Sequence, residues 1–345
     1  MMSERLPLVS IMIPNYNYGR YLKTCLDSAF GQTYQNIEVI LLDNCSEDNS
    51  LEIAKPYIKK GLRLCRNPFN IHTNSYKILG NVMTEGKYIM LLPSDDYILP
   101  EFVEKCVAIF EKYPNVGYVH TERKFVNETG EEEEADPFYN CSFVAPGEDV
   151  MPIFMMTTVA HPAQAMYRKT VFQSIGGYNQ FVEHTNADKT LWFFLSSVSD
   201  YAYIREELAR VRVGQYTETT ISQVNFQHPL LMTLTLMYFA DYARDKKLFK
   251  VLEREEQAKD KLAVEMLEFC AGMLMNDIFD VAEKYLIFCQ VVSRKILDNK
   301  VYRELDHMCK NHMVDKNRLR EMLSRKNRKR NYNPPDNYIL LPEEN

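Results

Sequence analysis

The chain has 345 residues, 46% hydrophobic and 12% aromatic, with a formal net charge of −6. That size and composition allow one large domain and a smaller one around a substantial core, and the negative balance excludes general nucleic-acid binding by the bulk of the protein. Eight cysteines stand far apart with no C-x-x-C spacing, so they read as reduced thiols of a cytoplasmic protein, not as a disulfide framework or a zinc site.

The opening "MMSERLPLVSIMIPNYN" has no signal-peptide pattern, and no window reaches the roughly 18 uninterrupted apolar residues of a membrane span. The short apolar runs "LVSIMIP" (8–14) and "IEVILLD" (37–43) predict strands, and "GRYLKTCLDSAFGQ" (19–32) between them spaces its apolar positions as a helix does. A helix over 50–60, the strand "LRLC", a helix over 74–83 and the strand "YIMLL" (88–92) continue the alternation. The pattern predicts an α/β fold, Rossmann-like, whose mainly parallel sheet carries helices on both faces and binds ligands beyond the carboxyl ends of its strands. From 114 to 213 the pattern loosens, with an acidic loop "GEEEEAD", a strand-like "PAQAMYRK" and a helix "ADKTLWFFLSSV". After Ser222 the sequence reads as nearly pure helix, and the boundary falls near 215–227. The expected organisation is an α/β domain over 1–220, a smaller all-α domain over 221–330 and an extended tail over 331–345, whose "YILLP" docks on the domain or on a second subunit.

The strand ends carry the chemistry. The first gives "PNYN" (14–17), the second "LLDNCSEDNS" (41–50), and "YIMLL" runs into "PSDD" (93–96). An aspartate at one strand end, an aromatic at the next and an acidic pair beyond a third make a pocket for a base and its diphosphate. A carboxylate can accept from uracil N3–H, an aromatic face can pack the ring, and a diphosphate needs a divalent cation with hard oxygen ligands, magnesium or manganese. For "PSDD" the plain alternative is a surface turn, which its composition suits.

These segments, in this order and spacing, resemble the family-2 glycosyltransferases of GT-A fold, over about Pro7 to Val213. The family's "P-T-Y-N" appears as Pro14-Asn15-Tyr16-Asn17 and its "D-D-G-S" as Asp43-Asn44-Cys45-Ser46. The resemblance implies a donor site of Pro14, Asn15, Tyr16, Asp43, Lys77, Asp95 and Arg212, with Tyr16 and Asp43 on the base and Arg212 facing the phosphates. It implies Asp95 and then Asp96 as ligands of Mn2+ or Mg2+, although Pro93 replaces the first aspartate of the family's "D-x-D-D". The segment "FQSIGGYNQFVEHTNADKTLWFFL" is similar to the family's acceptor segment and makes Asp188 the general base of an inverting transfer, with Glu183 and His184 next in line; Ala187 replaces the usual glutamate. The other reading of Asp188 is a helix cap. Gly214 stands where the family often has histidine, and His161 reads as a structural histidine.

No P-loop, nucleophile elbow or H-E-x-x-H pair occurs. The expected activity is hexosyl or N-acetylhexosaminyl transfer from a nucleotide sugar, most simply a UDP-sugar, to a glycan, a lipid-linked acceptor or a protein such as a flagellin. The basic segment over 316–330 reads as a solvated helix or as a peripheral contact with anionic lipid at the inner face of the membrane. The rival classes are a non-catalytic nucleotide-sugar-binding or scaffold subunit, a helical interaction protein carrying a degenerate transferase domain, and a sugar-nucleotide pyrophosphorylase. The last would show a Gly-rich basic loop where this chain has "PNYNYGR".

Overall fold

The computed structural model describes residues 6–71, 79–133, 136–157, 159–178, 187–213, 223–323 and 332–342. The alternating start of the chain folds as β1 (Val9–Asn15), α1 (Gly19–Phe30), β2 (Ile37–Asp43), α2 (Ser50–Ile58), β3 (Arg63–Arg66), β4 (Tyr88–Leu91) and β5 (Tyr97–Ile98). Of the helix expected over 74–83, only a single π-type turn at Leu79–Met83 falls among the described residues. There follow α3 (Phe102–Lys112), β6 (Val116–Val126), β7 (Glu132–Glu133), β8 (Phe143–Ala145), α4 (Gly147–Met156), β9 (Ala165–Arg168), α5 (Lys169–Ser174), α6 (Ala187–Ser196) and β10 (Asp200–Arg212). The rest is helical: α7 (Gln227–Lys246), α8 (Phe249–Leu252), α9 (Glu255–Met275), α10 (Phe279–Val292), α11 (Lys300–Asn311) and α12 (Lys316–Leu323), closed by the short strand β11 (Ile339–Leu340).

The strands form one sheet in the order β11-β8-β10-β6-β9-β4-β1-β2-β3. β3, β2, β1 and β4 are mutually parallel, as the β-α-β alternation requires. β9 enters antiparallel between β4 and β6, and β6 pairs parallel with β10. This insertion lays the start of β9 beside the carboxyl end of β4, which matters for the site.

Strand residues alternate between two buried faces. Val9, Ile11, Ile13, Val39 and Leu41 pack with α1, α2 and α3. On the other face Met12, Ile40 and Leu42 join a cluster with α4, α6 and the C-terminal helices, so the apolar core runs unbroken from sheet to helical block. Phe193 of α6 stacks on Phe239 of α7 with centroids 3.8 Å apart and planes at 7°. The tail docks on its own chain: β11 pairs antiparallel with β8, and Leu341 is buried. All eight cysteines are free thiols. Among the described residues no helix is long and apolar enough to cross a membrane.

Candidate active site

The polar residues at the strand ends fall into two groups joined by α1. The first is the loop after β2. Asn15 and Asp43 are register partners on β1 and β2, and Asn15 Nδ2 donates to Asp43 Oδ1 at 3.1 Å. Asp43 Oδ2 accepts from Ser46 N at 3.0 Å and lies 3.4 Å from Arg66 Nε at the end of β3. Ser46 Oγ in turn accepts from Asn15 Nδ2 and from Asn17 N. The Asp43 carboxylate is therefore fully buried with both oxygens bonded, while the Tyr16 side chain is 41% exposed and open to a ligand. Asn17 and Cys45 take left-handed backbone conformations (φ 57° and 67°) that fold the two loops onto each other. Asp48 Oδ2 accepts from Gly19 N at 2.8 Å and its Oδ1 from Ser50 N at 3.0 Å, so one carboxylate serves the amino-terminal ends of both α1 and α2. A Cβ at Gly19 would stand 2.2 Å from Asn49 Oδ1, so a larger residue there would have to push the Asn49 side chain aside.

The second group surrounds "PSDD". Pro93 O accepts from Asp96 N at 3.0 Å, so the stretch is a turn, and it is also more than one. Directly after the acidic pair, β5 joins β10 antiparallel with Tyr97 opposite Arg210. That register brings Arg212 N to Asp96 Oδ1 at 2.7 Å and Arg212 Nε to Asp95 O at 3.1 Å. The Arg212 guanidinium also donates to Asn127 O and lies 4.0 Å from the centre of the Tyr21 ring on α1. From the other side His161, at the turn that leads into β9, places Nδ1 3.2 Å from Asp96 Oδ2; the contact is a hydrogen bond when Nδ1 carries the proton. Trp192 Nε1 donates to Ala160 O at 3.1 Å, which fixes α6 against this segment. Asp188, in the first turn of α6, accepts from Lys189 N at 2.7 Å and lies within electrostatic reach of His161.

Three carboxylates near one partly exposed histidine, Asp96 buried and Asp95 and Asp188 half-buried, perturb each other. Burial, reinforced by the charge of Asp96, pushes the Asp95 carboxyl up to about 7 against the opposing pull of His161 and Arg212. Burial also raises Asp188, with His161 and the Lys189 amide opposing. Burial alone would lower His161, but Asp96, Asp188 and Asp95 outweigh it and raise it. Burial likewise raises the Cys25 thiol of α1, with Asp96 and Asp95 adding to it.

Of the residues singled out in the sequence, Pro14, Asn15, Tyr16 and Asp43 sit at the first group and Asp95, Asp96, Arg212 and Asp188 at the second. Lys77, Glu183, His184 and Gly214 lie outside the described residues. Arg212 holds backbone carbonyls and an aromatic ring, and Ala187 opens α6. The structure adds His161, Arg66 and Tyr21. His161 was visible only as a His-Pro pair ahead of a strand, because the antiparallel placement of β9 has no local signature.

A parallel half-sheet whose carboxyl ends gather a buried aspartate, an exposed tyrosine and an acidic cluster under a helix-borne aspartate is a GT-A glycosyltransferase architecture. Residues 10–176 match the family model for glycosyl transferase family 2, and the chain belongs to that family. It is 29% identical over 227 residues to an uncharacterized glycosyltransferase of Rickettsia prowazekii, covering 63% of this chain and 68% of the relative. The hyaluronan synthase of Pasteurella multocida is 30% identical over 231 residues, but that match spans only 22% of the synthase. Among solved structures, residues 1–349 of TarS from S. aureus superpose with a TM-score of 0.57, covering 89% of this chain and 94% of that one. At 16% identity that likeness speaks for the fold alone.

Proposed function

We propose that this glycosyltransferase moves a hexosyl or N-acetylhexosaminyl group from a UDP-sugar to a hydroxyl of a glycan, lipid-linked or protein acceptor, with inversion. The observation that carries the reading is the gathering of Asp95, Asp96 and His161 at the strand ends, with Asp188 at the start of α6 in electrostatic reach of His161. Support for the donor comes from relatives that are hyaluronan and chondroitin synthases and from the TarS fold solved with UDP-GlcNAc.

The residues fit a divalent cation. The Asp95 carboxyl is raised because burial and Asp96 work against its charge, and an arriving cation would relieve both. Among the described residues no three His, Cys, Asp or Glu side chains converge as a metal site, so an ion held at Asp95 would take its other ligands from water and phosphate oxygens. Asp95, with Asp96 behind it, would hold the ion, whose chemistry there is to neutralise charge on the departing diphosphate.

This chain's own groups do the rest. Tyr16 packs the base and Asp43 fixes the loop that receives it, Asp96 is itself anchored by Arg212 N, and Arg212 braces the acidic turn. Asp188 takes the acceptor hydroxyl proton as that oxygen bonds the anomeric carbon and the bond to the diphosphate breaks on the opposite face. Its raised affinity for protons brings it nearer the working pH of a general base. Residues 1–220 bind the donor in this reading, and 221–330 bind an acceptor or partner or serve oligomerisation. Lys316 and Arg318 already pair with Asp277, Glu304 and Glu321, so a lipid contact through 316–330, at the cytoplasmic membrane face, falls to the remaining cations of that stretch.

Thermal stabilisation by a panel of nucleotide sugars, with and without Mn2+, tests the reading. A ligand at 100 times its dissociation constant adds about 2.7 kcal/mol. Metal-dependent stabilisation by UDP-sugars over GDP- and CMP-sugars is the expected result; stabilisation by none of them would sink the donor assignment.

A further inference from the structure

Two side chains of α6 reach back to one stretch of chain. Lys189 and Trp192 stand three residues apart and so share a face of the helix. Trp192 Nε1 donates to Ala160 O at 3.1 Å, and Lys189 Nζ reaches Met155 O at 3.5 Å. Met155 lies in the last turn of α4, and Ala160 immediately precedes His161. A carbonyl at the carboxyl end of a helix lacks an intrahelical partner and sits at the negative pole of the helix, so it suits a cation even at the outer limit of hydrogen-bond distance. Among the described residues that carbonyl is the one hydrogen-bond acceptor the ammonium meets. Lys189 is only 6% exposed. Glu265 and Lys261 of α9 and His228 of α7, itself buried, stand within its electrostatic reach, so the helical block closes the ammonium off from water. Burying an ammonium with so few partners costs stability, and an apolar side chain of the same length would fill the space without that cost. Stability therefore does not account for a lysine here. The amide of the same residue donates to Asp188 Oδ1 at 2.7 Å. Lys189 thus touches Asp188 through its backbone and the approach to His161 through its side chain.

We propose that Lys189 is a positioning residue of the transfer: seated on the carboxyl end of α4, its ammonium holds the first turn of α6, and with it Asp188, in place beside His161. The inference rests on Asp188 as the general base. It also gives the helical block a part in the chemistry, because α7 and α9 supply the dry wall that strengthens one contact between charge and dipole. The charge acts on Asp188 as well. Burial raises the proton affinity of that carboxyl, and the ammonium, behind His161, opposes the rise. Losing the ammonium would keep a proton on the base to higher pH.

The test follows UDP release, with water as the acceptor, from the UDP-sugar that most stabilises the wild type. It is run across pH with Mn2+ on Lys189→Met, Lys189→Arg and Asp188→Asn, with UDP affinity and melting temperature measured on the same proteins. Lys189→Met should melt no lower than wild type and bind UDP as tightly. Its release of UDP should be about 10-fold slower, since a slightly displaced group can cost up to about 100-fold, and the acid limb of its rate profile should move to higher pH. Lys189→Arg restores the charge and should bring the limb back toward wild type. If Lys189→Met does not fold, Lys189→Gln, which keeps a donor for Met155 O but no charge, must show the same displaced limb. A rate and limb equal to wild type in the uncharged variant, or UDP affinity lost in step with the rate, overturns the inference while leaving the base assignment standing. Asp188→Asn working at the wild-type rate overturns that assignment and this inference together.

Discussion

Two sets of carboxylates flank α1, and they are held in opposite ways. Asp43 and Asp48 sit in a loop that meets them with donors: Asn15, Ser46 N and Arg66 on one, Gly19 N and Ser50 on the other. Those bonds outweigh the desolvation of Asp48, which is itself exposed, and hold its carboxyl below the usual range. Asp95 and Asp188 are half-buried with less compensation, and desolvation raises both. Charge that is fully hydrogen-bonded fixes a shape; partly desolvated charge that is not stays poised for something positive to arrive. The first loop shapes the base site, and the second set awaits a proton or a cation.

The sharpest way to break this contrast is Asp188→Asn. Asparagine keeps the helix start but cannot take a proton, so turnover at saturating donor and acceptor should fall roughly 10²–10⁴-fold with donor affinity nearly intact. Turnover within a few-fold of wild type on a folded protein would leave Asp188 a structural residue of the first turn of α6 alone.

Asp95→Asn addresses the same cluster from the metal side. The residue lies in a turn outside the sheet core, so the fold should survive while Mn2+-dependent donor affinity drops by about 10²-fold, in the range lost when a metal site is disturbed. Calorimetry with and without Mn2+ gives the answer, and metal-dependent affinity equal to wild type would return "PSDD" to the status of a turn.

The contrast also predicts opposite pH behaviour. Above the ordinary carboxylate range and up to the raised value of Asp188, the native protein holds a proton that the unfolded chain has released, so this group makes stability fall as pH rises through that window. Asp188→Asn should therefore be more stable than wild type at pH 8 in metal-free buffer, with the gap closing toward pH 4. Urea denaturation at several pH values measures it, and an Asn variant less stable at pH 8 than at pH 4, relative to wild type, contradicts the assignment.

The first set was more legible in the sequence than the second, for a physical reason. β1, α1, β2 and α2 are local: their periodicity, turn residues and order predict both the elements and the side on which Tyr16 and Asp43 emerge. The acidic pair was visible as residues, but its surroundings come from far along the chain. His161 arrives by way of an antiparallel strand, Arg212 through the β5–β10 register and Asp188 through the anchorage of Trp192. None of these pairings has a short-range pattern. Long β6 and β10, whose residues run apolar and charged by turns, hid for the same reason, since their mutual pairing and not their own sequence settles them.

The smallest effect belongs to the satisfied set. Asp48 is exposed to solvent, yet it accepts from Gly19 N, Ser50 N and Ser50 Oγ, joining two helix starts. Asp48→Ala removes these acceptors from the buried Gly19 and Ser50, and because Asp48 is itself exposed the space it leaves opens to water, so the cost should be about 1 kcal/mol, typical of a lost cap. The sign with pH mirrors that of Asp188. A lowered carboxyl contributes stability that is present above its unfolded value and lost as pH falls toward the folded one. The deficit of the alanine variant should thus be full at pH 7 and shrink below pH 4, where the wild-type carboxylate also loses its charge. Denaturation curves of both proteins at pH 7 and pH 3 decide the point. A deficit that stays constant across that range would mean that hydrogen bonding alone, without the carboxylate's charge on the two helix ends, accounts for the stabilisation, and the electrostatic half of the contrast would fail.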